Sequence, residues 1–123
     1  MILSLLLATA SAHPATQRLH YVDLDLETFF PVTRKTLVNT VSEMDAGAFN
    51  EIVAVINRYV RDTKPKVAEN RMRIMFLFND KPYAIDAEGN LEVGNKGGCL
   101  ERPVRDHVNR FLRKNSHVVD GTK

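Results

Sequence analysis

"RMRIMFLFNDKPYAIDAEGNLEV", residues 71 to 93, sets the fold class. Met72, Ile74, Phe76 and Phe78 share one parity, while Arg73, Met75 and Leu77 share the other, so both sides carry large side chains. A strand covered on much of both faces reads this way, which places it centrally in a sheet. Asn79-Asp80-Lys81 supplies a turn. Pro82 then suits the first position of a second strand, reaching Asp86, because it lacks the N–H that an interior position needs. In "DAEGN", residues 86 to 90, Gly89 stands where a three-residue hairpin with a bulge wants its left-handed residue. Leu91 to Val93 returns as a third strand. The meander is antiparallel because its links are short, and "GNKGG", residues 94 to 98, reads as a flexible loop after it.

Toward the amino end, "YVDLDLETFF" (21–30) alternates Val22, Leu24 and Leu26 with Asp23, Asp25 and Glu27. Strict alternation predicts a half-buried strand over about residues 19–27, ended by Phe29-Phe30-Pro31. Val32, Leu37, Val38, Val41 and Met44 follow at near-helical spacing behind Pro31. The pattern restarts at Asp45, a good N-cap. Phe49, Ile52, Val53, Ile56, Tyr59 and Val60 then make an apolar helical stripe. Pro65 closes that helix within Thr63-Lys64-Pro65-Lys66. Toward the carboxyl end a helix is expected from about Pro103 to Lys114, burying Val104, Val108, Phe111 and Leu112, with a frayed tail after Asn115. Strand, helix, helix, meander, helix is the order of an α+β fold, an antiparallel sheet packed by two or three helices.

The 123 residues suit a single domain, placed here at residues 13–123. An apolar share of 44% with 26% charged residues excludes a disordered or fibrous chain. One cysteine, Cys99, excludes an internal disulfide. Residues 1–12, "MILSLLLATASA", combine the apolar run from Ile2 to Leu7 with Ala10-Ser11-Ala12, the A-x-A form of a signal-peptidase site. No Lys or Arg precedes the run, which departs from the usual signal peptide. The expectation is nevertheless a signal peptide over 1–12 and a periplasmic or secreted domain, with a cytoplasmic location as the alternative. The run is too short to cross a bilayer, which takes about 20 apolar residues.

Charge is segregated although the net charge is only +2. Asp23, Asp25 and Glu27 form an acidic row, whose ends would lie roughly 13 Å apart on a strand, too far to converge on one cation. That row is expected to be a solvated face or a surface for a basic partner. Arg102, Arg105, Arg110, Arg113 and Lys114 lie outside the apolar stripe of the last helix and form a cationic face. No base-stacking aromatic accompanies them, which argues against nucleic acid as the partner. Gly97 and Gly98 before a helix match no phosphate-loop pattern. Cys99 lacks a base within reach in sequence, and reads as a small packed hydrophobe. No histidine pair has metal spacing, and no cofactor or metal is implied. The hairpin tip (Asp86, Glu88, Asn90) and the loop with Asn95 and Lys96 complete the candidate contact residues, as exposed loops on a rigid sheet.

The run of helix, strand, D-x-x-G hairpin, glycine-containing loop and amphipathic helix in the second half resembles, in element order, the periplasmic end domains of TonB-type and TolA-type proteins. The residues themselves point to a non-catalytic domain that binds another protein, of inhibitor, immunity or envelope-accessory type, for example an enzyme acting on the cell envelope. The alternatives are a cytosolic module binding nucleic acid or phosphate through the last helix, and a small hydrolase with a site assembled only in the fold.

Overall fold

A computed structural model describes residues 15–119. In chain order they form β1 (Thr16–Tyr21), α1 (Arg34–Leu37), β2 (Ser42–Asp45), α2 (Ala46–Asn57), β3 (Val60–Arg61), β4 (Met72–Phe78), β5 (Lys81–Asp86), β6 (Leu91–Val93), β7 (Gly97–Gly98), α3 (Arg102–Asn115) and β8 (Ser116–Val118). Six strands make one antiparallel sheet in the order β6-β5-β4-β1-β2-β8, and β3 pairs with β7 apart from it. The α+β expectation holds. The leader expected over residues 1–12 lies outside the described residues.

The meander forms where the sequence puts it, except that β5 starts at Lys81, one residue before Pro82. Asn79 and Asp80 turn the β4–β5 hairpin with φ of 53° and 63°, the left-handed pair that a two-residue turn needs and that short Asn and Asp side chains tolerate. Gly89, at φ 94°, turns the next one. One register shift matters. The β4–β5 pairing slips between Met72 and Ile74, at Arg73. Because side chains alternate with period two, that slip moves Met72 to the face of Ala84 and Met75, away from Ile74 and Phe76.

The main core lies between the sheet and the helices α2 and α3. Phe49, Ile52, Val53 and Ile56 of α2 and Val108 and Leu112 of α3 pack on Leu19, Ile74, Phe76, Tyr83, Ile85 and Leu91. Phe49 meets Phe76 edge-on at 4.9 Å, and Phe76 stacks on Tyr83 at 4.7 Å, a geometry that adds to the area term. Truncating Phe49 to alanine should cost about 3–5 kcal/mol. A smaller cluster on the opposite face joins Leu37, Met72 and Ala84. Arg34 of α1 locks that layer, bonding Glu69 at 2.7 Å and Glu92 at 2.6 Å.

Asp45 caps α2 as expected, its carboxylate accepting from the Ala48 N–H at 3.1 Å. Elsewhere the boundaries move. β1 ends at Tyr21, so the acidic row lies in a loop and not on a strand. The helix expected across residues 32–44 is one turn, capped by Thr33, and then strand β2. Tyr59 and Val60 leave α2 before Pro65, because Val60 and Arg61 pair with Gly98 and Gly97. Residues 97–98 are therefore a strand within the expected loop, and 116–118, expected to fray, pair with β2.

Candidate functional site

The loop after β1 explains why alternation misled. The Asp23 carbonyl accepts from the Leu26 N–H at 3.1 Å, and its side chain accepts from the Asp25 N–H at 2.9 Å. This is an Asx-type turn, which Asp favours by offering its carboxylate to the backbone. Leu24 is buried, while Asp25, Leu26 and Glu27 face outward.

Three residues hold the loop from below. Asn109 of α3 accepts from the Tyr21 hydroxyl at 2.7 Å and the Leu24 N–H at 3.0 Å, and donates to Asp23 and Asp25. Arg105, buried, donates to the carbonyls of Leu24 and Ala87 and to the carboxylates of Asp25 and Asp106. Arg73, buried beside the register shift in β4, donates to the carbonyls of Leu26 at 3.2 Å and Met72 at 2.9 Å. Arg113 adds a rim contact to Asp23 at 2.7 Å. Burial pushes the Asp23 carboxyl up, yet Asn109, the Asp25 N–H and Arg113 outweigh it and hold the group below the usual carboxylate range. Burial, with Asp23 alongside, raises the Tyr21 phenol well above its ordinary value.

Above this floor opens a cleft of about 650 Å³, between the 24–31 loop, residues 70–73, the 87–88 turn and the start of α3. Its size falls in the roughly 300–1,000 Å³ range of ligand clefts. Phe29 and Phe30 form its lip at 103% and 80% exposure, with Leu26 beside them at 52%.

The cleft collects five of the sequence-chosen residues: Asp25, Glu27, Glu88, Arg102 and Arg105. Their environments differ from expectation. Arg105 is buried and paired with Asp25 at 2.9 Å, and Arg113 is taken by Asp23, so the cationic helix face and the acidic row partly neutralise each other. Glu88 is exposed and bound to Arg71 at 2.7 Å. Glu27 and Arg102 are exposed and have no ion-pair partner among the described residues.

The other five stand outside it. Asp23 faces Arg113 and Asn109. Asp86, expected at an exposed tip, is fully buried, accepting from the N–H groups of Ala68, Glu88 and Asn90 and from the Asn90 side chain. Burying a carboxylate is tolerable because its lone pairs are filled. Asn90 is thereby half-buried and committed to that bond. Asn95 and Lys96 are exposed on the turn from β6 to β7, where Val93 and Lys96 exchange backbone hydrogen bonds, so this segment is a hydrogen-bonded turn.

Cys99, His107 and Asp25 are not brought together by hydrogen bonds among the described residues. Cys99 is exposed and not packed as a small hydrophobe, and partial desolvation of its thiol, with Asp86, Glu101 and Glu88 nearby, moves its pKa up, away from a reactive thiolate. The His107 ring lies against Phe111 at 6.1 Å. No group of three metal-ligating side chains occurs among the described residues. No helix there is long and apolar enough to cross a membrane.

The sequence reading missed Arg71, Arg73, Phe29 and Phe30. A signal existed: a lone arginine inside "MRIM", and two phenylalanines beside Pro31 in a polar segment. No protein-family model, curated protein or solved structure matches the chain, so the likeness in element order to TonB-type and TolA-type end domains transfers no residues.

Proposed function

We propose that the chain is a non-catalytic docking domain that holds a segment of a partner protein in the cleft beside the Phe29–Phe30 lip. The observation that carries this reading is two adjacent, exposed phenylalanines on a loop whose backbone is held at Leu24 and Leu26 by two buried arginines. An exposed apolar group rimmed by charge costs solubility, and such patches mark interaction sites. Holding the start of the loop at Leu24 and Leu26 reduces the ordering entropy of that part on binding, which favours affinity. Aromatic anchors surrounded by polar groups are the usual composition of an interface centre.

Export is part of the proposal and is supported by the Ala10-Ser11-Ala12 site behind the Ile2–Leu7 run. An inhibitor, immunity or envelope-accessory role suits a domain that docks in this way. Two measurements test the whole. Sequencing the protein from its host should find His13 as the first residue, and Met1 there would sink export. A photoreactive phenylalanine analogue at position 30 should cross-link to polypeptide, while the same group at Leu77, exposed on β4 outside the cleft, should not. A cross-link to nucleic acid or lipid at position 30 would sink the docking reading.

A further inference from the structure

We propose that the partner segment presents a single carboxylate to Arg73 on the cleft floor, with an apolar side chain next to it resting on Phe29 and Phe30. This inference rests on the docking reading and adds the chemistry of its ligand.

Arg73 is the unusual group. It is 4% exposed and always charged. A guanidinium is almost never buried without a counter-charge, because desolvation is costly. Yet no carboxylate lies within 4 Å of it among the described residues. Two of its five N–H donors reach the Met72 and Leu26 carbonyls, and its Nε is buried with no acceptor at all. Asp86, the acidic group whose charge acts on it, already accepts four hydrogen bonds elsewhere. The other cations of the cleft are provided for: Arg71 has Glu88, Arg105 has Asp25, and Arg102 is in water.

The lining carries Arg71, Arg73, Arg102 and Arg105 against Asp25, Glu27 and Glu88, an excess of one positive charge. That excess matches a carboxylate. A dianionic phosphate would overfill it by one charge. Planar guanidinium also suits a carboxylate geometrically, through two parallel N–H bonds.

The carboxylate can come from a chain terminus or from an Asp or Glu side chain, and the experiment separates them. The full-length ¹⁵N-labelled protein is titrated with acetyl-Ala-Leu-Leu bearing a free carboxylate, the same peptide amidated, acetyl-Ala-Leu-Asp-amide, and inorganic phosphate at matched ionic strength. The Arg73 Nε–H resonance is followed. The proposal expects a saturable shift with one or both carboxylate peptides, at an affinity about tenfold or more above the amidated peptide. A terminal source shifts it only with the free peptide, and a side-chain source with the Asp peptide. No shift with either, or a shift with phosphate alone, overturns the proposal. Phe29→Ser/Phe30→Ser then separates the two readings. Weaker peptide binding supports both. Unchanged peptide binding overturns the apolar half of this inference and removes the lip from the docking surface, while the carboxylate contact to Arg73 is then judged by the resonance shift alone.

Discussion

Arg105 meets Asp25 at 2.9 Å across eighty residues of sequence, and the contact joins the most acidic stretch of the chain to its most basic helix. The two partners are not equivalent. Arg105 is buried with four acceptors, whereas the Asp25 side chain is 56% exposed. Removing the arginine strands the Leu24 and Ala87 carbonyls. Arg105→Met is therefore expected to lower unfolding free energy by about 2–4 kcal/mol in urea denaturation. Asp25→Asn removes a solvent-screened ion pair and disturbs the long 3.3 Å bond from Asn109, and should cost less, about 1 kcal/mol. Equal costs for the two variants would contradict this asymmetry.

Asp86 ties two loops to one carboxylate. Its oxygens take the N–H groups of Ala68, Glu88 and Asn90, and the Asn90 amide. An amide at this position places N–H donors against N–H donors. Asp86→Asn should cost about 3 kcal/mol, with hydrogen-exchange protection lost first at Ala68, Glu88 and Asn90. Wild-type protection at those three amides would show that the loops are held by other contacts.

The parts of the fold legible in sequence were those fixed by local chemistry. Gly89, Pro82 and the Asn79-Asp80 pair mark the meander by their own backbone preferences, and Asp45 announces α2 as a cap. What failed was set by distant partners. Ser42–Asp45 is a strand because β1 and β8 flank it, and nothing between Val32 and Met44 records that pairing. Residues 22–27 alternate because Leu24 goes under the loop, held through Asn109 and Arg105 of a helix eighty residues away. The site inherited those errors. Charges read as separate faces are mutual partners, and the buried Arg73 owes its place to a register shift that parity counting cannot see.

Gly98 is where the β3–β7 pairing is most exacting. It sits at φ 138°, and a Cβ there would come within 2.2 Å of the Tyr59 carbonyl oxygen. An l-side chain is strained at that φ and collides with backbone, which cannot rotate away. Gly98→Ala should destabilise by about 2–4 kcal/mol and loosen the β3 residues Val60 and Arg61, as read by thermal unfolding and hydrogen exchange. A stability change within about 0.5 kcal/mol would contradict the packing described.

Asp23 gives the loop a defined response to acid. Burial raises its carboxyl, but Asn109, the Asp25 N–H and Arg113 prevail, so its folded-state pKa lies below the ordinary 3.8. The unfolded chain then binds a proton more tightly than the folded one. Stability from this group is accordingly complete above the unfolded value and fades as pH falls through the folded value. Asp23→Asn should be less stable than wild type at pH 6, and the gap should shrink as pH falls below about 4, closing once Asp23 is protonated in both states. The measurement is urea unfolding of both proteins between pH 2 and 6. A gap that stays constant over that range would mean the carboxylate charge contributes nothing, and that Asp23 acts only as a neutral hydrogen-bond acceptor.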